Sequence, residues 1–85
     1  MDKSDVEANF HLGKYHMEQK EDKQAKKYFR KTISVLRDHI VYNSEFFFKS
    51  YLNISEMMIR NDKNFDAIEN YAQAYELMMK NKEQI

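Results

Sequence analysis

The sequence predicts an all-α fold, because it lacks the residues that tight turns use and repeats apolar side chains at helical spacing. Proline and cysteine are absent, and Gly13 is the only glycine among the 85 residues. An all-β chain needs turns at short, regular intervals, and such turns call on glycine and proline. The many Glu, Lys, Gln, Met and Ala residues favour helices instead. A chain of this length forms one small domain, residues 1–85, with a limited core.

Four amphipathic segments predict four helices. The first covers about residues 4–19, and polar stretches at 20–23 and 61–64 interrupt the pattern. Residues three, four or seven apart share one side of a helix. By this criterion the four buried stripes are Val6, Phe10, Gly13 and Met17; Ala25, Phe29, Thr32 and Leu36; Phe47, Tyr51, Ile54 and Met58; and Ala67, Tyr71, Ala74 and Met78.

The helices are expected to pair as two antiparallel hairpins, at about residues 4–40 and 44–83. Short polar side chains mark the helix starts, because such residues accept hydrogen bonds from the free amides of a first turn. Asp22 is the predicted N-cap of the second helix, and Asn43 or Ser44 is the predicted N-cap of the third.

Charge and composition limit the classes of function. Fourteen basic and fourteen acidic residues give a net charge of zero, with residues 1–42 slightly basic and residues 43–85 slightly acidic. The chain therefore has no global field that would attract nucleic acid or an anionic membrane. Without cysteine it forms no disulfide and no thiolate metal site. The first ten residues contain no apolar signal core and no stretch approaches the length of a membrane span, so we expect a soluble cytoplasmic protein.

The two predicted hairpins form an internal repeat with an offset of 42 residues. The superposed pairs are Leu12-Gly13 with Ile54-Ser55, Ala25 with Ala67, Phe29 with Tyr71 and Thr32 with Ala74. We expect the small residue on each first helix to face the alanine on the second, which lets the two helices approach closely. The aromatic side chain at position 29 or 71 would fill the space beyond this crossing.

The second unit carries the clearer pattern, in Tyr51-Leu52-Asn53-Ile54-Ser55, Asp66-Ala67-Ile68, Tyr71 and Ala74-Tyr75-Glu76-Leu77. It resembles the tetratricopeptide repeat, a helix–turn–helix unit of 34 residues. The first unit departs from that pattern, because Asn9 stands where an aromatic is usual, and the closing proline is absent from both units. The longer spacing and the segment AIENYAQAYEL are also similar to bacterial Rap-type regulators, which bind signalling peptides and partner proteins.

The resemblance implies a right-handed stack in which the first helix of each hairpin lines a groove for an extended peptide or protein segment. The residues that it assigns to the groove are Phe10, His11, Lys14 and Glu18 on the first helix and Lys49, Leu52, Asn53, Glu56 and Arg60 on the third. Asn53 is the strongest candidate for a peptide contact, because one amide offers a donor and an acceptor to a peptide backbone. His11 has the equivalent position in the first unit. The implied function is a regulatory binding module without a cofactor.

The sequence also bears on functions other than peptide binding. The second helix carries a basic cluster, which predicts either a solvated surface or the phosphate-contacting face of a small nucleic-acid-binding regulator. Its members are Lys20, Lys23, Lys26, Lys27, Arg30 and Lys31. We predict no enzymatic activity, since one glycine cannot build a phosphate loop and no cysteine nucleophile exists. His11 and His16 do not share a helix face, so no metal site is predicted.

Apolar residues on the third helix exceed what one buried stripe needs. Phe46-Phe47-Phe48 and Met57-Met58-Ile59 are consecutive in the chain, and consecutive residues point around a helix. We therefore expect Phe48 and Ile59 to lie outside the hairpin core, where a second copy, a further hairpin or a ligand would cover them. Two units are fewer than a solenoid usually needs. The expected state is a dimer, part of a longer repeat array, or a purely structural self-assembling subunit.

Overall fold

The computed structural model of the protein describes the backbone of residues 3–39 and 45–83 and the side chains of residues 5–39 and 45–79. It contains the helices α1 (Lys3–Glu18), α2 (Asp22–Asp38), α3 (Glu45–Arg60) and α4 (Asn64–Glu83). The predicted all-α class with four helices is confirmed. The tetratricopeptide type and the right-handed stacking stay predictions. The proposed caps Asn43 and Ser44, and the boundary between the two units, lie outside the described residues.

The turns that join α1 to α2 and α3 to α4 have matching backbone geometry. Lys20 has a φ of 60° and Asp62 a φ of 62°, both in the left-handed region. In each turn the next amide donates to a carbonyl five residues back, at 2.8 Å from Glu21 to His16 and at 2.7 Å from Lys63 to Met58. This pattern caps the last carbonyls of a helix. The two turns are 42 residues apart, so the internal repeat extends to the local geometry of the chain.

A single apolar cluster joins the α1–α2 pair to the α3–α4 pair. Helix α1 packs on α2, α2 packs on α3, α3 packs on α4, and α1 also touches α3. The buried members of the cluster are Val6, Phe10, Ala25, Phe29, Ile33, Leu36, Phe47, Tyr51, Ile54, Met57 and Ala74. Most positions of the predicted stripes are therefore in the core, and the flanking residue Ile33 is added to them.

The crossing of α1 and α2 depends on Gly13, whose nearest neighbour is the ring of Phe29. The three nearest atoms to a Cβ placed on Gly13 all belong to the ring of Phe29, with Cε1 at 2.7 Å. Phe29 itself is fully buried. The ring of Phe29 therefore occupies the space that the missing side chain leaves, and the expected approach of Ala25 to Gly13 stays a prediction.

The second crossing is built differently, with a polar residue in place of the ring. Asn70 Nδ2 donates to the backbone oxygen of Tyr51 at 3.1 Å and to Ser55 Oγ at 2.9 Å. Ser55 is fully buried, whereas Tyr71, the counterpart of Phe29, is only half-buried. Asn70 therefore makes a contact with Ser55, and our expectation that Tyr71 fills the space beyond this crossing stays a prediction.

The predicted cap Asp22 has another role in the structure. The N-cap residue of α2 is Glu21, which makes no side-chain capping bond, and Asp22 is already the first residue of the helix. The carboxylate of Asp22 accepts hydrogen bonds from the guanidinium of Arg60 and, at 3.1 Å, from Asn61 Nδ2. The start of α2 is therefore tied to the end of α3, which positions the two helix pairs relative to one another.

Candidate functional site

The predicted peptide-binding residues are on α1 and α3, two helices that contact one another. The two helices meet where the ring of Phe46 on α3 lies 5.1 Å from the ring of Phe10 on α1, measured between centroids. Phe10 is only 6% exposed and belongs to the core, so its assignment to the groove is wrong. We call the remaining predicted residues the α1/α3 surface: His11, Lys14 and Glu18 on α1, with Lys49, Leu52, Asn53, Glu56 and Arg60 on α3.

Asn53 is the residue of this surface that is best positioned for recognition. It follows Phe46 by seven residues, and this spacing returns to the same side of a helix, here the side that faces α1. The side chain is partly buried. Its amide has no hydrogen-bond partner within residues 5–39 and 45–79. Polar groups that are withdrawn from water normally have partners, so the Asn53 amide is available to a ligand or to water.

Charged side chains border Asn53, and they differ in whether they are already paired. Lys49 Nζ lies 3.4 Å from the carboxylate of Glu45 one turn earlier, and Arg60 is bound to Asp22. Lys14 and Glu56 are exposed and form no ion pair with another described side chain. Those two residues are equivalent in the 42-residue repeat and have opposite charges. Glu18, one turn after Lys14, is also exposed and makes no ion pair with a described side chain. The α1/α3 surface therefore presents a cation and an anion on α1 and an anion on α3.

A second candidate surface lies on the outer side of α3 and α4. Phe48 is 42% exposed and Ile59 is 48% exposed, as expected for residues outside the core. On α4 the exposed residues Ile68, Tyr75 and Met79 recur at intervals of seven and four, which keeps them on one side of the helix. We call these five residues the α3/α4 face. Phe48, Tyr75 and Met79 line a groove of about 380 Å³ together with the half-buried Tyr71 and Met78.

The sequence pattern identifies the α3 residues of this face, Phe48 and Ile59, but not its α4 residues. Ile68 and Tyr75 lie outside the predicted stripe of α4, and each is 67% exposed. The signal that could have identified them is the breadth of the apolar pattern on α4, which exceeds the one stripe that packs on α3.

The basic cluster of α2 forms a third surface, centred on Tyr28. The amines of Lys27 and Lys31 each lie 6.0 Å from the centre of the Tyr28 ring. The concavity here has a volume of about 710 Å³ and is lined by Lys23, Gln24, Lys27, Tyr28, Arg30, Lys31 and Ser34. None of its four cations forms an ion pair with a side chain that the structure describes. This surface can attract an anion, although the cations repel one another and stay separately solvated.

A small polar concavity of about 280 Å³ lies between α2, α3 and α4. Arg37 on its wall donates to the hydroxyl of Tyr51 at 3.3 Å. It is lined by Arg30, Ile33, Ser34, Arg37, Asp38, Tyr51, Ile54, Asn70 and Gln73. The residues of this concavity come from three helices and share no spacing in the sequence, so the sequence pattern does not identify them as a group. None of the three concavities is lined by His11, Lys14, Lys49, Asn53, Glu56 or Arg60.

The described residues contain neither a metal-binding cluster nor a helix that could span a membrane. In that part of the chain no group of three or more His, Asp or Glu side chains could hold a metal ion. His16 stacks on the Tyr28 ring with 5.4 Å between centroids, so this histidine has a packing contact. No helix in residues 3–39 and 45–83 is long and apolar enough to cross a bilayer.

Comparison of the chain with protein-family models, with curated proteins and with solved structures gives no match. The assignment of function therefore depends on the residues and geometry of the chain itself.

Proposed function

We propose that the protein is a regulatory interaction module that binds an extended peptide or protein segment across α1 and α3. It uses recognition without covalent chemistry, in the manner of the tetratricopeptide proteins that its second unit resembles. The observation that carries the proposal is Asn53, a partly buried residue whose amide is accessible and has no hydrogen-bond partner among the described residues. An amide in that state can donate to and accept from one peptide unit of an extended ligand.

The charges of the α1/α3 surface support the same proposal and add an expected polarity. Lys14 and Glu56 are exposed and unpaired within the described part of the chain. Glu56 would attract a basic group of a bound segment to α3, and Lys14 would attract an acidic group to α1, beside Glu18, which is also exposed. Such rim charges contribute mainly to specificity and to the association rate, whereas the contact of Asn53 with the peptide backbone contributes to the stability of the complex.

The proposal can be tested without a known ligand. Peptides are selected from a random library displayed on phage against the immobilised protein, and the dissociation constant of one selected peptide is measured by isothermal titration calorimetry. Asn53→Ala is expected to weaken binding by about tenfold, the loss of one hydrogen-bonded contact in a partly desolvated site. Glu69→Ala, an exposed residue of α4, is the control and should leave the affinity within about twofold.

A charge exchange tests the expected polarity. The double variant Lys14→Glu with Glu56→Lys keeps the net charge of the chain and exchanges the charges at these two positions of the α1/α3 surface. Peptides selected against the original chain should bind the double variant more weakly, and this loss of affinity should decrease as salt is added. Selection of no peptide, or equal affinity for the original chain and for Asn53→Ala, would refute the proposal.

One observation favours a second candidate function, the binding of nucleic acid by α2. Lys23, Lys27, Arg30 and Lys31 surround Tyr28 in one concavity, and aromatic rings between cations are suited to stacking bases near phosphates. Against it, the chain has no net positive charge, so the affinity would depend on this surface alone.

A further inference from the structure

Two of the five residues of the α3/α4 face correspond, through the internal repeat, to buried residues of the α1–α2 pair, whereas the equivalents of the other three are not buried. Phe48 is equivalent to Val6 and Tyr75 to Ile33, each 42 residues later. Val6 is 2% exposed and Ile33 is 5% exposed, because both belong to the cluster shared with α3 and α4. Their equivalents are 42% and 67% exposed. At these two positions the second pair therefore presents the type of apolar surface with which the first pair packs on its neighbour.

The opposite end of the protein does not offer a matching surface for head-to-tail stacking. Phe47 and Ile54 of α3 are buried in the shared core, and their equivalents on α1 are Asp5 and Leu12. Asp5 is exposed, and a copy stacked head to tail would bury its carboxylate in an apolar contact at high cost. Asp5 stands on that side of α1 between residues that include the exposed Leu12 and Tyr15, so this side is mixed in character, whereas the α3/α4 face is apolar.

A two-fold arrangement pairs the apolar face with itself and leaves Asp5 in water. We propose that the α3/α4 face binds the same face of a second copy about a two-fold axis, so that the protein is a closed dimer. A two-fold interface needs only one self-complementary patch and stops at two copies. The exposed parts of its five side chains amount to roughly 500 Å² per copy, and the half-buried side chains around them bring the area toward the roughly 800 Å² per partner of a stable interface.

This inference uses other residues than the peptide-binding proposal, although Leu52 of the α1/α3 surface lies on the same side of α3 as Phe48 and Ile59. In the dimer both α1/α3 surfaces would stay accessible, and each copy would bind one segment. A ligand that itself contains two such segments would then bind with an effective concentration set by the spacing of the two copies.

Light scattering coupled to size-exclusion chromatography tests the inference on the full chain over a wide range of concentrations. The expected result is twice the chain mass of 10.4 kDa, with no larger species. Tyr75→Glu should weaken association by about a hundredfold, because it introduces a charge into the centre of a desolvated interface. Tyr15→Glu is the matched control, since Tyr15 on α1 is 55% exposed and outside the face, and it should stay dimeric.

Circular dichroism establishes that each variant is folded. If Tyr75→Glu does not fold, Met79→Glu on the same face replaces it, with the same expected result. A monomeric original chain, a series of species larger than the dimer, or a dimer that persists in a folded face variant would each overturn the proposal.

Discussion

The ring of Phe29 fills the space that a side chain at position 13 would occupy. A Cβ atom on Gly13 would lie 2.7 Å from Cε1 and 2.8 Å from Cδ1 of that ring, well inside van der Waals contact. Phe29 is fully buried and cannot move away without displacing the core. The only glycine of the chain therefore sets the distance between α1 and α2.

Replacement of Gly13 by alanine is consequently expected to destabilise the protein. In an exposed helix this change stabilises by about 1 kcal/mol, but overpacking of a core costs about 1–3 kcal/mol. The free energy of unfolding, measured in urea, should fall by about 1 kcal/mol or more. In a Phe29→Leu background the penalty of Gly13→Ala should shrink, because the shorter side chain vacates the space. A stabilising Gly13→Ala in the original chain would contradict this packing.

Two fully buried serines on α3 are expected to respond in opposite ways to removal of the hydroxyl. Ser55 Oγ accepts a hydrogen bond from Asn70, whereas Ser50 Oγ has no partner in the described part of the protein. Ser55→Ala should cost about 1–2 kcal/mol, because it leaves the Asn70 amide with an unmet donor. Ser50→Ala should be neutral or stabilising, since it removes an unsatisfied polar group. Chemical denaturation of both variants measures the difference, and equal losses would contradict the assigned contacts.

The left-handed turn residues predict a stabilising substitution. A lysine in the left-handed region carries a penalty of roughly 1 kcal/mol that glycine does not. Lys20→Gly should therefore raise the melting temperature, despite the extra freedom that glycine gives the unfolded chain. Asp62→Gly should gain less, because aspartate tolerates this conformation better. The comparison is a thermal melt followed by circular dichroism, and a loss of stability in Lys20→Gly would show that the turn has another geometry.

The nucleic-acid alternative makes a separate prediction about α2. Labelled duplex DNA and single-stranded RNA are titrated with the protein at physiological salt, with fluorescence anisotropy as the readout. We expect only weak binding, of the order of 10⁻⁴ M, as for non-specific contacts with a few cations. The triple variant Lys23→Glu, Lys27→Glu, Arg30→Glu should leave peptide affinity intact. Micromolar or tighter binding that collapses in this variant and falls steeply with salt would assign the function to α2.

The helices and most of the core could be predicted from the sequence, because their pattern is local. The stripe of Ala25, Phe29, Thr32 and Leu36 needs only the period of an α-helix to be recognised, and all four residues are buried. The absence of proline and the isolated Gly13 leave few other folds for such a chain. The equivalence of the two turns also follows from the offset between the repeats.

Contacts between helices were not predictable in the same way. Asp22 is a residue type favoured at N-caps, yet its carboxylate binds Arg60 and Asn61, which are nearly forty positions away. Asn70 is a polar residue within a helix, and nothing nearby in the sequence indicates that it meets Ser55. Such pairs depend on the register of one helix against another, which the local pattern does not specify.

The most direct test of the proposed function is an NMR titration of the isotope-labelled protein with a peptide selected against it. The change in each backbone amide shift reports which surface the peptide contacts. Binding across α1 and α3 predicts that the largest changes cluster from His11 to Glu18 and around Asn53 and Glu56. Largest changes around Lys27 on α2 or around Tyr75 on α4, with those two segments unaffected, would contradict it.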